Sequence, residues 1–237
     1  MIILKNIHMR FGSLNVLNGL DMTFEEGTIT SILGPSGCGK STLLYITAGL
    51  ICPTGGEVTG MEHKRSGFLF QEPRLLPWKN AMENLEFVLP EDIDRQSKKQ
   101  MCEDLINRVE LKGFEMHYPS QLSGGMNQRL ALARAFIVHS DVLFMDEPFQ
   151  SLDLKRRAQM IELVKKLWMK QKPAVLMVTH DVQEALLLSD KIYILSDKPT
   201  GIITEIKNTM PLHERTVKNK EFYRMEQEII NSYLMKE

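Results

Sequence analysis

The chain has 237 residues, of which 43% are hydrophobic and 25% charged. At roughly 150 residues per domain, that suits one large α/β domain or a core with an inserted subdomain, and it excludes a disulfide-stapled miniprotein, a fibre and a disordered chain. With 29 basic against 30 acidic residues, a formal net charge of −1, the chain is not one that grips nucleic acid by bulk charge.

In chain order, the opening reads as strands. Ile2-Ile3-Leu4 and Thr28-Ile29-Thr30-Ser31-Ile32-Leu33 are short, apolar and β-branched, bounded by polar residues or glycine. The second run stops at Gly34 in a glycine-rich loop. Residues 41–50 then suit a helix, which Gly49 and Pro53 help to end. From about Pro73 to Ala135 the periodicity is helical. Met101, Leu105, Val109 and Leu111 mark one amphipathic helix, and Leu130, Ala131, Ala133, Arg134 and Ala135 belong to another. Val142-Leu143-Phe144-Met145 and Ala174-Val175-Leu176-Met177-Val178 are apolar throughout, as expected of strands buried on both sheet faces. Ile192-Tyr193-Ile194-Leu195 is a further strand candidate, with Gly201-Ile202-Ile203 after a turn. Phe222, Met225, Ile229 and Tyr233 recur at helical spacing, which predicts a tail helix packed on the core. Strands, a helical block and strands again imply a mixed-sheet core with a helical insertion.

Cys38, Cys52 and Cys102 form no CxxC and leave one over from any pairing, which points to a reducing compartment. The 6 histidines show no pair at zinc-ligand spacing, so no structural zinc is expected. The N-terminus lacks the apolar run of a signal peptide, and no stretch approaches the ~18 apolar residues of a membrane-spanning helix. A chain that is soluble by itself and cytosolic is therefore the expectation.

Gly34-Pro35-Ser36-Gly37-Cys38-Gly39-Lys40-Ser41, followed by Thr42, satisfies GxxxxGK[ST] between a predicted strand and a predicted helix. Glycines let the backbone curl until successive N–H groups face phosphate oxygens, and the helix N-terminus adds partial positive charge. Lys40 suits the β- and γ-phosphates and Ser41 suits Mg²⁺. Alone, this Walker A motif says only nucleotide phosphate; a kinase, a GTPase or a helicase would also fit. Cys38 lies within the loop, where a helix N-terminus lowers a thiol pKa and would make it reactive unless nucleotide shields it. The alternative is a small filler residue.

Val142 to Met145 runs into Asp146-Glu147. A parallel strand beside the P-loop strand would deliver both carboxylates to the phosphates. Asp146 suits Mg²⁺, and Glu147 suits the general base that polarises water. Between these motifs stands Leu122-Ser123-Gly124-Gly125-Met126-Asn127-Gln128-Arg129, before an Ala- and Leu-rich helix. Ser123 with the N–H groups of Gly124 and Gly125 can form a second phosphate cradle at a helix start.

Together these segments resemble the ATP-binding cassette family, whose signature LSGGQ has Met126 at its fifth position here. Other family elements match in order. Gln71 in Phe70-Gln71-Glu72-Pro73 resembles the Q-loop, Ser151-Leu152-Asp153 the D-loop, and His180 in Val178-Thr179-His180-Asp181 the switch histidine. Phe11 is placed like the aromatic that stacks on adenine, without the hydroxyl of the usual Tyr. The resemblance spans about residues 1 to 210. It implies an α/β P-loop NTPase (RecA-like) with a mixed-sheet core, an N-terminal antiparallel β part and an inserted α-helical subdomain. The implied single domain, 1–237, divides into a core of about 1–72 and 136–210, a helical subdomain of about 73–135 and a C-terminal helical tail of about 211–237. It implies ATP and Mg²⁺ as ligands, with Ser41, Gln71 and Asp146 on the metal, and Gln71, Ser123, Gly124, Gly125 and Asp153 among the nucleotide-binding residues. Glu147 and His180 are the implied catalytic pair.

Since one chain carries one copy of each motif, a head-to-tail homodimer follows from the resemblance. Arg74-Leu75-Leu76-Pro77-Trp78, then Asn84, resembles the nitrate/sulfonate/taurine importer branch. So does Ser189-Asp190-Lys191-Ile192-Tyr193-Ile194-Leu195-Ser196 followed by Pro199 and Gly201. The implied partners are transmembrane permease subunits, met near Gln71 and Arg74–Trp78, and indirectly an extracytoplasmic solute-binding protein. No nucleic acid is implied, and the implied location is peripheral, on the cytoplasmic face of the membrane. Leu75, Leu76 and Trp78 are expected to line a groove for a permease helix, or else to form an ordinary core corner. The rival is a non-transport cassette ATPase of DNA repair or translation, which usually carries a coiled-coil insertion or two cassettes in one chain.

Overall fold

Leu143 and Met145 pack in one hydrophobic cluster, while Val142 and Phe144, their immediate neighbours, pack in another. Val175 and Met177 alternate in the same way with Ala174, Leu176 and Val178. Period-2 geometry sends successive side chains to opposite sheet faces, so an unbroken apolar run requires cover on both faces. The computed structural model describes residues 1–150 and 152–234, and it supplies that cover.

The chain opens with β1 (Ile2–Phe11), β2 (Leu14–Phe24) and β3 (Ile29–Leu33), then α1 (Lys40–Thr47), β4 (Gly55–Thr59) and β5 (Ser66–Leu69). The helical block follows as α2 (Ala81–Glu86), α3 (Arg95–Arg108) and α4 (Gly124–Ile137). The remainder alternates: β6 (Val142–Asp146), α5 (Leu154–Gln171), β7 (Ala174–Thr179), α6 (Val182–Leu188), β8 (Lys191–Leu195), β9 (Ile202–Lys207) and α7 (Lys220–Leu234). One sheet has the order β5-β6-β7-β3-β8-β9, parallel except for the antiparallel edge strand β9. A second, antiparallel sheet has the order β2-β1-β4. Together with α1 it covers one face of the parallel strands, and α2 to α5 cover the other. Near β8 and β9, Leu33, Ile192 and Ile194 pack with α6 and with Phe222, Met225 and Ile229 of the tail helix.

Three strands left little trace in the sequence. β2 is interrupted by Gly19, at φ +68°, and its partner β1 shows register shifts, so neither keeps a clean alternation. β4 has two glycines in five residues, and β5 has four residues in all. The helix marked by Met101 and Leu105 ends at Arg108, so the buried Val109 and Leu111 lie just past it.

Candidate active site

Asp146 and Glu147 do not arrive on a strand adjacent to β3, as the sequence reading expected. β7 lies between β3 and β6, so the two carboxylates sit two strands away from the P-loop strand. The first turn of α1 bridges that gap. Ser41 Oγ donates to Asp146 Oδ1 at 2.8 Å. Tyr45, one turn further along the same helix face, donates from its hydroxyl to Oδ2 at 2.6 Å. Both oxygens of a buried carboxylate are thus held by α1. Burial first, and the Asp146 carboxylate second, push the Tyr45 hydroxyl up to about 12.

Glu147 leaves β6 with φ +43°, a left-handed turn that is rare for a residue with a side chain. Strict alternation would set its side chain opposite to that of Asp146; leaving the strand relaxes this rule. Its N–H donates to the Val178 carbonyl at 3.0 Å, which ties the turn to β7. Glu147 Oε1 lies 3.9 Å from Lys40 Nζ, and Oε2 lies 3.1 Å from Nδ1 of His180, the residue that follows β7. Lys40 is buried, and its ammonium donates to the carbonyls of Gly34 and Pro35 at 2.9 Å each. Lys40, Ser41, Asp146, Glu147 and His180 therefore converge at the C-terminal ends of β3, β6 and β7, where open α/β sheets bind ligands.

The loop needs its glycine before Lys40. Gly39 has φ +113°, and a Cβ there would lie 2.7 Å from Val16 Cγ1. A cavity of ≈ 240 Å³ opens at the loop, with Phe11, Leu14, Val16, Gly37, Thr42 and Lys198 in its wall beside Lys40, Ser41 and Glu147. Phe11 is 50% exposed, so it is not a core residue. Cys38 departs from the reactive thiol expected of a helix N-terminus. Its side chain packs in the cluster with Ile32 and Leu43, and burial raises its pKa more than the nearby Lys40 lowers it.

The signature residues lie elsewhere in the chain's fold. Ser123 caps α4, its Oγ accepting from Met126 N–H at 3.3 Å. A Cβ on Gly124 would meet nothing within 4 Å, so this helix start is open. Ser123 and Gly125 line a second hollow of ≈ 210 Å³ with Leu152 and Arg156, and neither lines the P-loop cavity. Asp153 caps α5 by accepting from Arg156 N–H at 2.9 Å. Ser151, assigned to the same D-loop, lies outside the described residues. Gln71 is exposed, and its side-chain amide donates to Gln150; no hydrogen bond runs from it to Ser41 or Asp146.

Of the loop after Gln71, Leu75 packs against the core, Leu76 is half-buried, and Trp78 is 70% exposed. Asn84 fixes this turn: its Oδ1 accepts from Leu76 N–H at 2.8 Å, and its amide donates to the carbonyls of Leu76, Lys79 and Asn80. Exposed Phe87 and Met116 stand near Trp78's loop, in contact with Lys79 and Asn80 respectively. Trp78 is thus exposed at this turn, whereas Leu75 is partly buried against the core.

Sequence reading missed Tyr45, although its place four residues after Ser41 was a signal. It also missed a network behind His180. Arg157 of α5 donates to Asp181 Oδ2 at 2.6 Å and lies 3.5 Å from buried Glu184, which accepts from Thr179 Oγ1 at 2.6 Å. Burial raises the Glu184 carboxyl above its ordinary value.

Among the described residues, no three His, Cys, Asp or Glu side chains gather as a metal centre. The hydroxyl of Ser41 and the carboxylate of Asp146 are hard oxygen donors, the partial set that Mg²⁺ takes when phosphate and water complete its shell. The donor set therefore fits the ion.

Known proteins resemble this chain in family and in fold. The family profile described as ABC transporter matches residues 17–150. The chain is 41% identical over 211 residues to "Aliphatic sulfonates import ATP-binding protein SsuB 1" of Mesorhizobium japonicum, covering 87% of this chain and 80% of the relative. It is 36% identical to the SsuB protein of Bacillus cereus, covering 97% of this chain and 92% of the relative. Among solved structures, the dimeric bacterial ABC transporter cassette MJ0796 is similar with a TM-score of 0.78 and 31% identity, over 89% of this chain and 100% of that one. A dimeric post-hydrolysis state of that cassette, bound to ADP and Pi, is similar with a TM-score of 0.76, 31% identity and the same coverage.

Proposed function

Because this chain belongs to the ABC transporter family, as an ATP-hydrolysing subunit that energises import, we propose that it works as a head-to-tail pair and that its transported solute is an aliphatic sulfonate. Each ATP lies between the Lys40 loop of one copy and Ser123-Gly124-Gly125 of the other. The observation that carries this reading is the convergence of Lys40, Ser41, Asp146, Glu147 and His180, with Ser123 and Gly125 opening onto a separate hollow. The relatives' description as aliphatic sulfonate import proteins supports the choice of solute.

The reaction is ATP + H₂O → ADP + phosphate. Glu147 takes a proton from water as the water oxygen bonds to the γ-phosphorus and the bond to the β-phosphate oxygen breaks. His180, 3.1 Å from Glu147 Oε2, orients that carboxylate and contacts the γ-phosphate. Lys40 exchanges its two carbonyl contacts for phosphate oxygens and offsets the charge gathered there. Phe11 offers its ring to the adenine, and Asp153 lies at the facing edge of the pair. Ser41 and Asp146 would hold Mg²⁺, which neutralises phosphate charge when bound. Gln71 stands to link this site to the permease, which docks near Arg74–Trp78 and receives solute from an external binding protein. The subunit then sits on the cytoplasmic face of the membrane, and no helix among the described residues is long and apolar enough to cross it.

The test is size-exclusion chromatography of Glu147→Gln with and without Mg-ATP, alongside its turnover. Turnover should fall by roughly 10²–10⁴, and ATP should shift the variant from monomer to dimer. Adding Ser123→Arg should abolish that shift. A dimer that persists with Ser123→Arg, or near-normal turnover in Glu147→Gln, overturns the reading.

A further inference from the structure

The P-loop hollow is smaller than a second cavity, of ≈ 750 Å³, between the end of α3, the outer face of α5 and the turn at Leu212–Glu214. That volume is enough to enclose a small organic molecule. Its wall is mainly apolar: Leu163 and Leu167 are buried at the base, Leu212 is half-buried and Met169 is 52% exposed. The rim is cationic. Arg108, Lys166 and Lys170 stand on it, all exposed; among the described residues none has a side-chain hydrogen bond or ion pair, and Lys166 acts only through space on Glu110, which Arg129 already pairs. Glu162 is the lone acid in the wall, and Lys165 already neutralises it at 3.0 Å while also donating to the Arg215 carbonyl. The other titratable group facing the cavity, His213, is paired with Glu214 at 3.6 Å.

An apolar base under three cations that lack ion-pair partners is complementary to a molecule with an apolar tail and an anionic head. We propose that this cavity binds a free single-chain anionic amphiphile, an alkyl sulfonate or alkyl carboxylate. The tail lies on Leu163, Leu167 and Leu212, and the head lies among Arg108, Lys166 and Lys170. Its concavity favours a free molecule over a bilayer surface, because a membrane-docking surface presents its apolar residues outward rather than at the base of a hollow. This site is distinct from the nucleotide site and does not depend on which solute is transported.

The test is isothermal titration calorimetry of the full chain, saturated with ADP, against 1-octanesulfonate below its micelle concentration. One site per chain should fill. Octyl glucoside, which keeps the chain length but lacks the charge, and 1-butanesulfonate, which keeps the charge but shortens the chain, should each bind roughly tenfold more weakly or worse. Lys166→Glu with Lys170→Glu should weaken octanesulfonate to a similar extent. Arg108→Glu, on a different helix, reads the same rim should the double variant unfold. Equal affinity for octyl glucoside, unchanged affinity in both rim variants, or binding confined to phosphatidylglycerol vesicles would each overturn the proposal.

Discussion

Tyr45→Phe isolates one hydrogen bond to Asp146 in the candidate site. Asp146 is buried, and its two oxygens take one hydrogen bond each from Ser41 and Tyr45, at 2.8 and 2.6 Å. A hydrogen bond to a charged group contributes about 1.5–3 kcal/mol, and phenylalanine removes the donor while leaving the ring. Taking about 2 kcal/mol, and a shift of about 2–4 °C per kcal/mol for a domain of this size, the melting temperature in EDTA should fall by roughly 4–8 °C. The titration carries a sign. The folded hydroxyl sits at about 12, against 10.0 unperturbed. The wild-type advantage is therefore complete below pH 10 and shrinks as pH rises from there through the folded value. Thermal unfolding of both proteins at pH 7.5 and at pH 10.5 reads both effects. The Mg²⁺ concentration for half-maximal ATPase should also rise in the variant, because Asp146 loses one of its two anchors. A melting shift under about 1 °C, well short of the worth of such a bond, would refute the assignment of Tyr45 as that anchor.

Glu184→Gln removes a buried carboxyl whose pKa burial holds above 4.5. A raised carboxyl stabilises the fold below the unfolded pKa and loses that contribution as pH rises through its folded value, so the wild type should lose stability relative to the Gln variant as pH rises above 4.5. A pH-independent difference in urea unfolding would contradict this. Arg215 is buried and donates to the carbonyls of Met210 and Leu188 and to Asp190, which also accepts from Ile29 N–H at the start of β3. Arg215→Met should cost about 3 kcal/mol of unfolding free energy by urea titration; a loss under about 0.5 kcal/mol, an ordinary surface effect, would remove its role in tying the segment before α7 to the core. Trp78→Ala should weaken permease binding by roughly 30-fold, as removal of an exposed aromatic anchor does, and unchanged affinity in a detergent pull-down titration would place the permease elsewhere.

Much of the site was legible because its chemistry is local. A phosphate loop needs Gly39 where φ is positive and Lys40 next to it, and both requirements are written in adjacent residues. The buried strands were legible for the same reason: Val142–Met145 and Ala174–Val178 show in their own composition that both faces are covered. At Cys38 the sequence left a reactive thiol and a small filler residue open, because a local rule, the helix N-terminus, competes with burial, and burial depends on residues far along the chain such as Val142 and Leu195. β2 and β4 were missed because what makes them strands is pairing with β1, not their own alternation. The order β6-β7-β3 could not be read either, since ladder hydrogen bonds join backbones and leave no side-chain signature of the neighbour. The sequence by itself picked out the groups proposed to act on the phosphates. Only the tertiary structure decided that Asp146 is reached across an intervening strand by Ser41 and Tyr45, and that His180 at the end of that strand meets Glu147, because those distances are set by which strands hydrogen-bond side by side.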